Sequence, residues 1–397
     1  MHTRQAKKPP HIFFFCDLCA MKEVYIHGFS CVSPLGTSSA EAAALYASPR
    51  SLSVVRNAQA VFPLSASAES GLQAFLEEQS WLRKHSRTVQ LAVFAASLLG
   101  TLPQRKTLVN IGSSRGSTDL WEQFHRASLQ GERLNPAASP STTPGNIASS
   151  VARYLAAESV VLDHSITCGS GLQAIANACA WIRAGMCTQA LAGGTEAPLS
   201  DFTLAQFRSL GIVSRHTEGF ACKPLYKNKE SNTLCLGEAA GMALLSPEPS
   251  AYRLAGIGFG TEQAGSLSGI TPEGKALKGS MREALEQAGI KRPDAVIAHA
   301  PGTLRGDAAE TAALHVLFGD KIPVYSTKYL TGHTLGASGM LSLQLALLLL
   351  DGEVVPRIPY ETGSGPLAVV PQTILINATG FGGNAVSLVI KKEEITS

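Results

Sequence analysis

VVLDHSITCGSGLQA, residues 160–174, passes from an apolar run through a glycine turn into a row of small residues. Val160–Thr167 predicts a strand and Gly169–Ala184 a long small-residue helix. A strand, a glycine turn and a helix make the repeating unit of a layered α/β protein. Two chemistries suit such a turn. Gly169, Gly171 and Ala174 match the G-x-G-x-x-A dinucleotide fingerprint, with Glu196 lying 22 residues beyond Ala174. Cys168, however, stands at the tip where a pyrophosphate would approach. The other chemistry makes Cys168 a nucleophile. A helix N-terminus carries unpaired N–H groups and partial positive charge, which favours a thiolate and predicts a lowered pKa. A plain buried thiol suits Cys179 and Cys187 within and just past the helix, and is the competing reading of Cys168.

The same alternation runs outward in both directions. Strands are expected at Val24–Gly28, Thr107–Ile111, Gln189–Ala192 and Ala239–Leu245, and helices at Ser39–Ala47 (N-cap Ser38 or Ser39), Arg87–Leu99 and Asn146–Leu155. Residues 130–146 read as a long Pro/Ser/Thr-rich loop. After Pro247-Glu248-Pro249 the pattern starts again. Strands are expected at Leu254–Gly258, Ala295–Ala298, Val324–Ser326, Thr373–Ile376 and Val386–Ile390, with helices at Glu273–Ala288, Ala308–Phe318 and Gly336–Leu350. Each half closes on a glycine turn and an apolar strand, Gly237 to Leu245 and Gly380 to Val389. The echo predicts an internal duplication: 21–247 carrying the nucleophile Cys, and 250–397. Residues 1–20 match neither half and form a doubtful head.

Composition agrees with a well-buried body. Of 397 residues 45% are hydrophobic and 16% charged, which excludes a mainly disordered chain. A net charge of +3 is too mild to predict nucleic-acid binding, though it allows docking of a small acidic protein. Eight cysteines in so long a chain predict a reduced, cytoplasmic protein rather than a disulfide framework. Cys16-x-x-Cys19 has no second pair at zinc spacing, so no metal site is expected. Leu341–Leu350 is too short to span a membrane and reads as a buried helix. Gly112-Ser113-Ser114-Arg115-Gly116 matches the G-x-S-x-G nucleophile elbow, with His299 or His333 as the base; a simple strand-to-helix turn is the competing reading.

The C-terminal half supplies partners for Cys168. His299 follows a strand in His299-Ala300-Pro301-Gly302-Thr303, with Asp307 and Glu310 beyond it. Lys328 and His333 flank Gly332 just before a Gly-rich helix start. Gly380-Phe381-Gly382-Gly383 is a flexible loop bearing one bulky side chain.

Taken in order, these pieces resemble the β-ketoacyl-[acyl carrier protein] synthases, elongating condensing enzymes of the thiolase-like fold. The likeness runs from about Met21 to Lys392. It includes Ser33 to Gly36, Thr167 to Gly171, Gly193 to Glu196, Gly237 to Gly241, His299 to Asp307, Lys328 to His333 and Gly380 to Gly383. The resemblance implies two similar halves in an α-β-α-β-α stack, and a catalytic set of Cys168, His299, His333 and Lys328. It implies an oxyanion hole from the Cys168 and Phe381 amides, with Phe381 also gating the acyl pocket. It implies an ion pair between Lys328 and Glu310, further support from Asp307 and Glu238, and a Thr303 contact with phosphopantetheine. The implied reaction is decarboxylative condensation of malonyl-[acyl carrier protein] with an acyl thioester on Cys168, in fatty acid, polyene or polyketide synthesis. No bound cofactor is expected; the substrates ride on the phosphopantetheine of acyl carrier protein. The implied assembly is a homodimer or a heterodimer with a related ketosynthase.

Cys–His–His favours an elongating enzyme, because initiating synthases carry Asn where His333 stands. The lack of any Cys after Cys235 argues against a thiolase. The sequence departs from the family pattern at Pro301 and Thr379, where Thr and Phe are usual, and in a shortened stretch before Arg87. These departures point to a specialised synthase. They also keep open an alternative, a chain-length-factor-like partner subunit with little activity of its own.

Overall fold

The computed structural model describes residues 22–103, 105–156, 158–262, 269–363 and 367–394. The head and its Cys16–Cys19 pair lie outside the described residues. Among the described residues ten strands form the main sheet: β1 (Tyr25–Val32), β2 (Thr107–Gly112), β3 (Ser159–His164), β4 (Gln189–Glu196), β5 (Ala239–Ser246), β6 (Tyr252–Thr261), β7 (Ala295–Ile297), β8 (Val324–Tyr325), β9 (Thr373–Gly380) and β10 (Asn384–Lys392). Their order is β8-β7-β9-β10-β6-β1-β5-β4-β2-β3. The halves join where Tyr25 and Ile26 pair with Arg253 and Tyr252. Outward from that seam each half repeats one pattern. β1-β5-β4 and β6-β10-β9 are antiparallel. β4-β2-β3 and β9-β7-β8 are parallel. The two similar halves are therefore a property of the hydrogen-bond pattern.

Helices complete the layers. α1 (Arg87–Ser97) and α2 (Asn146–Leu155) cover the outer face of the first half, and α4 (Lys275–Ala288), backed by α5 (Leu304–Phe318), covers that of the second. Between the halves lie α3 (Ser170–Arg183) and α6 (Ser338–Leu350), which pack on each other and on strands from both. Every residue of α6 but Leu347 is buried, as an all-round apolar helix requires. This α-β-α-β-α stack is the thiolase-like arrangement expected.

Close packing at the centre demands glycine. A Cβ on Gly171 or Gly194 would come within 2.8 or 2.6 Å of the Gly336 carbonyl oxygen. The start of α3 and the residues before α6 thus meet backbone to backbone.

Several boundaries differ from the sequence reading. β3 ends at His164, because 165–169 turn away from the ladder. Most other strands run one to four residues longer than their apolar runs. The 130–146 stretch holds a helical turn, Ala138–Thr142, and helix Thr118–Leu129 precedes it with no buried residue to mark it by periodicity. Ser38 caps its helix in a capping box with Glu41.

Candidate active site

Cys168 sits in a 3₁₀ turn, Thr167–Gly169, between β3 and α3, so it neither ends the strand nor opens the α-helix. Ser170 braces this turn: its Oγ donates to the Thr167 carbonyl (2.6 Å) and accepts from the Ile166 amide (3.0 Å). The lowered thiol pKa expected from the helix terminus is reversed. Burial pushes Cys168 up to about 12, with Glu196 adding to the rise and Lys328 opposing it. At physiological pH Cys168 is therefore a thiol.

His299 lies just past β7, buried, with its backbone held from both sides. Its amide donates to Glu310 Oε1 (3.0 Å) and the next amide, Ala300, to Glu310 Oε2 (2.7 Å). Lys328 Nζ donates to the His299 carbonyl. The Lys328–Glu310 ion pair expected from the resemblance is therefore not formed. Glu310 is occupied by two backbone amides and Asn377 Nδ2 (3.0 Å), and Lys328 by a carbonyl.

His333 is fixed by its ring as well as its backbone. Its amide donates to the Cys235 carbonyl (2.6 Å). Its Nδ1 accepts from the Leu335 amide (3.2 Å) and lies 2.9 Å from Ser338 Oγ. Because Nδ1 accepts a backbone N–H, the ring proton resides on Nε2. The His299 and His333 rings stand 5.1 Å apart at 76°. Burial, then the Lys328 charge, holds both well below the usual histidine pKa, with His333 adding to the effect on His299. Both are neutral at physiological pH. Thr167, Ala300 and Leu335, each within two residues of one of these side chains, have φ of +59°, +27° and +42°. Left-handed backbone at non-glycine residues is costly and clusters at functional sites.

One cavity of about 450 Å³ brings the chemistry together. Cys168, His299, His333, Thr303 and Phe381 line it, along with Phe207, Pro301 and Thr379. The Phe207 and Phe381 rings stack at 6.5 Å. Among the described residues, neither the Cys168 nor the Phe381 amide donates to another residue. Thr303 also caps α5, accepting from the Gly306 amide (3.1 Å), so its hydroxyl proton is free to donate. Thr379 Oγ1 donates to the Asn384 carbonyl (2.9 Å) and closes the 381–383 turn.

The supporting carboxylates stand behind this wall. Asp307 accepts from the Gly302 amide (2.9 Å) and pairs with buried Lys229 (2.6 Å), anchoring the loop after His299. Glu238 binds Arg87 (2.7 Å) and the Leu64 amide (3.2 Å), a brace between elements of the first half.

Two groups were not marked as site residues by the sequence. Glu196 is buried and accepts from the Ser114, Arg115 and Gly336 amides at 2.7, 3.1 and 3.0 Å. Burial lifts its pKa to about 7. It ties the Gly112–Gly116 turn to the start of α6, so the apparent serine elbow is an anchor turn. His164 bridges Asn110 Oδ1 and the Ser170 carbonyl, both at 3.1 Å. Nothing in its strand context signals this.

Comparison with known proteins agrees with the geometry. Residues 87–251 match the beta-ketoacyl synthase N-terminal domain and 253–360 the beta-ketoacyl synthase C-terminal domain. The chain is 29% identical over 310 residues to 3-oxoacyl-[acyl-carrier-protein] synthase 2 of Staphylococcus aureus, covering 72% of this chain and 74% of that protein. It is 31% identical over 279 residues to the tetracenomycin polyketide synthase ketoacyl synthase alpha subunit of Streptomyces glaucescens, covering 64% and 65%. A beta-ketoacyl synthase structure from Burkholderia phymatum superposes with a TM-score of 0.82 at 24% identity, covering 94% of this chain and all of the other. The ishigamide ketosynthase/chain length factor gives 0.81 at 21%, with the same coverage. With two family domains in sequence, a duplicated thiolase-like fold and a cysteine sharing one cavity with two neutral histidines, the chain belongs to the beta-ketoacyl synthase family.

Proposed function

We propose that this chain catalyses decarboxylative Claisen condensation, giving a 3-oxoacyl-[acyl carrier protein] two carbons longer than the acyl group received. The observation that carries the proposal is the shared cavity, where Cys168, His299 and His333 converge from three distant stretches of sequence.

An acyl thioester on the phosphopantetheine of acyl carrier protein enters past Thr303, whose hydroxyl donates to the arm. The Cys168 sulfur attacks the carbonyl carbon, its proton passes to a neutral imidazole and leaves with the pantetheine thiol. The Cys168 and Phe381 amides hold the oxyanion in between. Malonyl-carrier protein then binds with its thioester carbonyl against Nε2–H of His333 and the His299 imidazole. Loss of CO₂ leaves an enolate on that oxygen, stabilised by the two neutral imidazoles. Its carbon attacks the Cys168 thioester, the C–S bond breaks, and the released thiolate takes a proton from solvent. Lys328 and Glu310 hold the His299 backbone, and burial together with the Lys328 charge keeps both imidazoles neutral.

The protein works as a dimer, with itself or a related chain, in the cytoplasm, where the six described cysteines, all buried and free, stay reduced. No helix among the described residues is long and apolar enough to cross a membrane. Light scattering at the 41.6 kDa of one chain would contradict the dimer. Pro301 and Thr379 in the cavity wall favour one other reading, a partner subunit that acts through its interface. Incubation of the protein alone with acyl- and malonyl-carrier protein, followed by mass spectrometry, separates the two. An acyl adduct on Cys168 and a 3-oxoacyl product support the enzyme; neither forming would leave the partner-subunit reading.

A further inference from the structure

Thr167 precedes the nucleophile and is unusual in two ways. Its φ of +59° is a conformation that β-branched residues rarely adopt. Its hydroxyl has one proton and two carbonyls in reach, Ile166 at 2.7 Å and Phe381 at 3.3 Å. Among the described residues the second contact is the one side-chain hydrogen bond joining the nucleophile turn to the 381–383 turn. The two turns meet closely here, since a Cβ on Gly380 would lie 1.8 Å from Thr167 Oγ1 and 2.9 Å from the Cys168 nitrogen. The Phe381 turn needs such a tether. Gly382 and Gly383 follow it with φ of +89° and +76°, and they leave its peptides free to rotate. Its other restraints are the ring stack on Phe207, the closure at Thr379 and the Glu262 amide, which donates to the Gly383 carbonyl (3.0 Å).

We propose that the Thr167 hydroxyl is a positioning latch: it holds the Phe381 backbone so that the Phe381 and Cys168 amides face one oxygen. This inference rests on the reading of Cys168 as an acyl acceptor. The latch matters only when an oxyanion develops, so acyl transfer depends on it while alkylation of the same sulfur does not.

The test compares T167V, which keeps the β-branch and loses the hydroxyl, with T167S, which keeps the hydroxyl. Two rates are measured on each full-length protein: Cys168 acylation by acyl-carrier protein, and Cys168 alkylation by iodoacetamide, a displacement at a saturated carbon that forms no oxyanion. Loss of a full oxyanion donor costs about 10²–10³-fold, and a loosened one costs less, so T167V should acylate roughly 10–100-fold more slowly. Its alkylation should stay within about twofold of the parent, and T167S should restore acylation to within about threefold. T167A carries the same test should T167V not fold. Acylation at the parent rate in T167V, equal loss of both rates, or failure of T167S to rescue would each overturn the latch. Failure of the parent protein itself to acylate would instead overturn the enzyme reading.

Discussion

Replacing Glu310 with Gln separates the positioning of His299 from the chemistry of Cys168. The carboxylate accepts three hydrogen bonds: Oε1 from the His299 amide and Asn377 Nδ2, Oε2 from the Ala300 amide. An amide side chain has one acceptor oxygen. In its better orientation that oxygen keeps the Oε1 partners, and the new NH₂ faces the Ala300 N–H. One buried backbone donor is then orphaned and the NH₂ gains no acceptor, each at about 1–3 kcal/mol. Burial raises the Glu310 pKa, so the native protein already bears a cost for its charge, which the neutral amide relieves. The net destabilisation should be about 2–4 kcal/mol, read as a fall in the urea midpoint at unchanged slope. The functional effect is selective. Ala300 lies in left-handed backbone, and without its carboxylate partner the peptide after His299 relaxes and carries the imidazole off its line. Misplacement near 1 Å costs on the order of 10²-fold. CO₂ release from malonyl-carrier protein should fall by about that factor, while Cys168 acylation stays within about threefold. Decarboxylation within twofold of the parent, or an equal loss of acylation, would refute the reasoning.

Three further outcomes follow from burial and charge. With the thiol near 12, iodoacetamide alkylation of Cys168 should rise about tenfold per pH unit from pH 7 to 10 without levelling; a plateau below pH 8 would show the thiolate that a helix terminus alone predicts. His299 and His333 are depressed in the folded protein, so the unfolded chain binds more protons as pH falls below its own value of about 6.5. Their stability contribution is full above pH 6.5 and is lost below it, at up to about 1.4 kcal/mol per pH unit for each ring, so H333N should flatten the pH 5–6.5 slope of unfolding free energy by one ring's share. Asp307→Ala leaves buried Lys229 without its carboxylate and frees the Gly302 and Leu225 amides. It should cost about 3–5 kcal/mol in urea unfolding, and a loss under 1 kcal/mol would show that the pair does not anchor this loop.

What the sequence revealed, and what it hid, divides along a physical line. Cys168 and His299 were legible because each comes shortly after a strand, in a turn with a local signature in glycine spacing, whereas His333 follows the short helix Lys328–Thr331 and Gly332. The duplication was legible for a similar reason, since hydrogen-bond ladders repeat when apolar strands and glycine turns repeat. Whatever depends on which backbone group arrives from far away was not legible. Glu310 and Lys328 were expected to pair because their charges are opposite. In the fold the nearest partners of both are peptide groups of His299 and Ala300, and a buried peptide without a partner costs as much as a missed ion pair gains. The Cys168 pKa went the wrong way for the same reason: the terminus of α3 is a local feature, whereas the desolvation that outweighs it comes from packing around the whole turn. That reversal alters the chemistry. A cavity lined by a protonated thiol and two neutral imidazoles holds no net charge on these three side chains. It is poised to meet negative charge only when an oxyanion or enolate forms, where stabilisation raises the rate rather than merely tightening substrate binding.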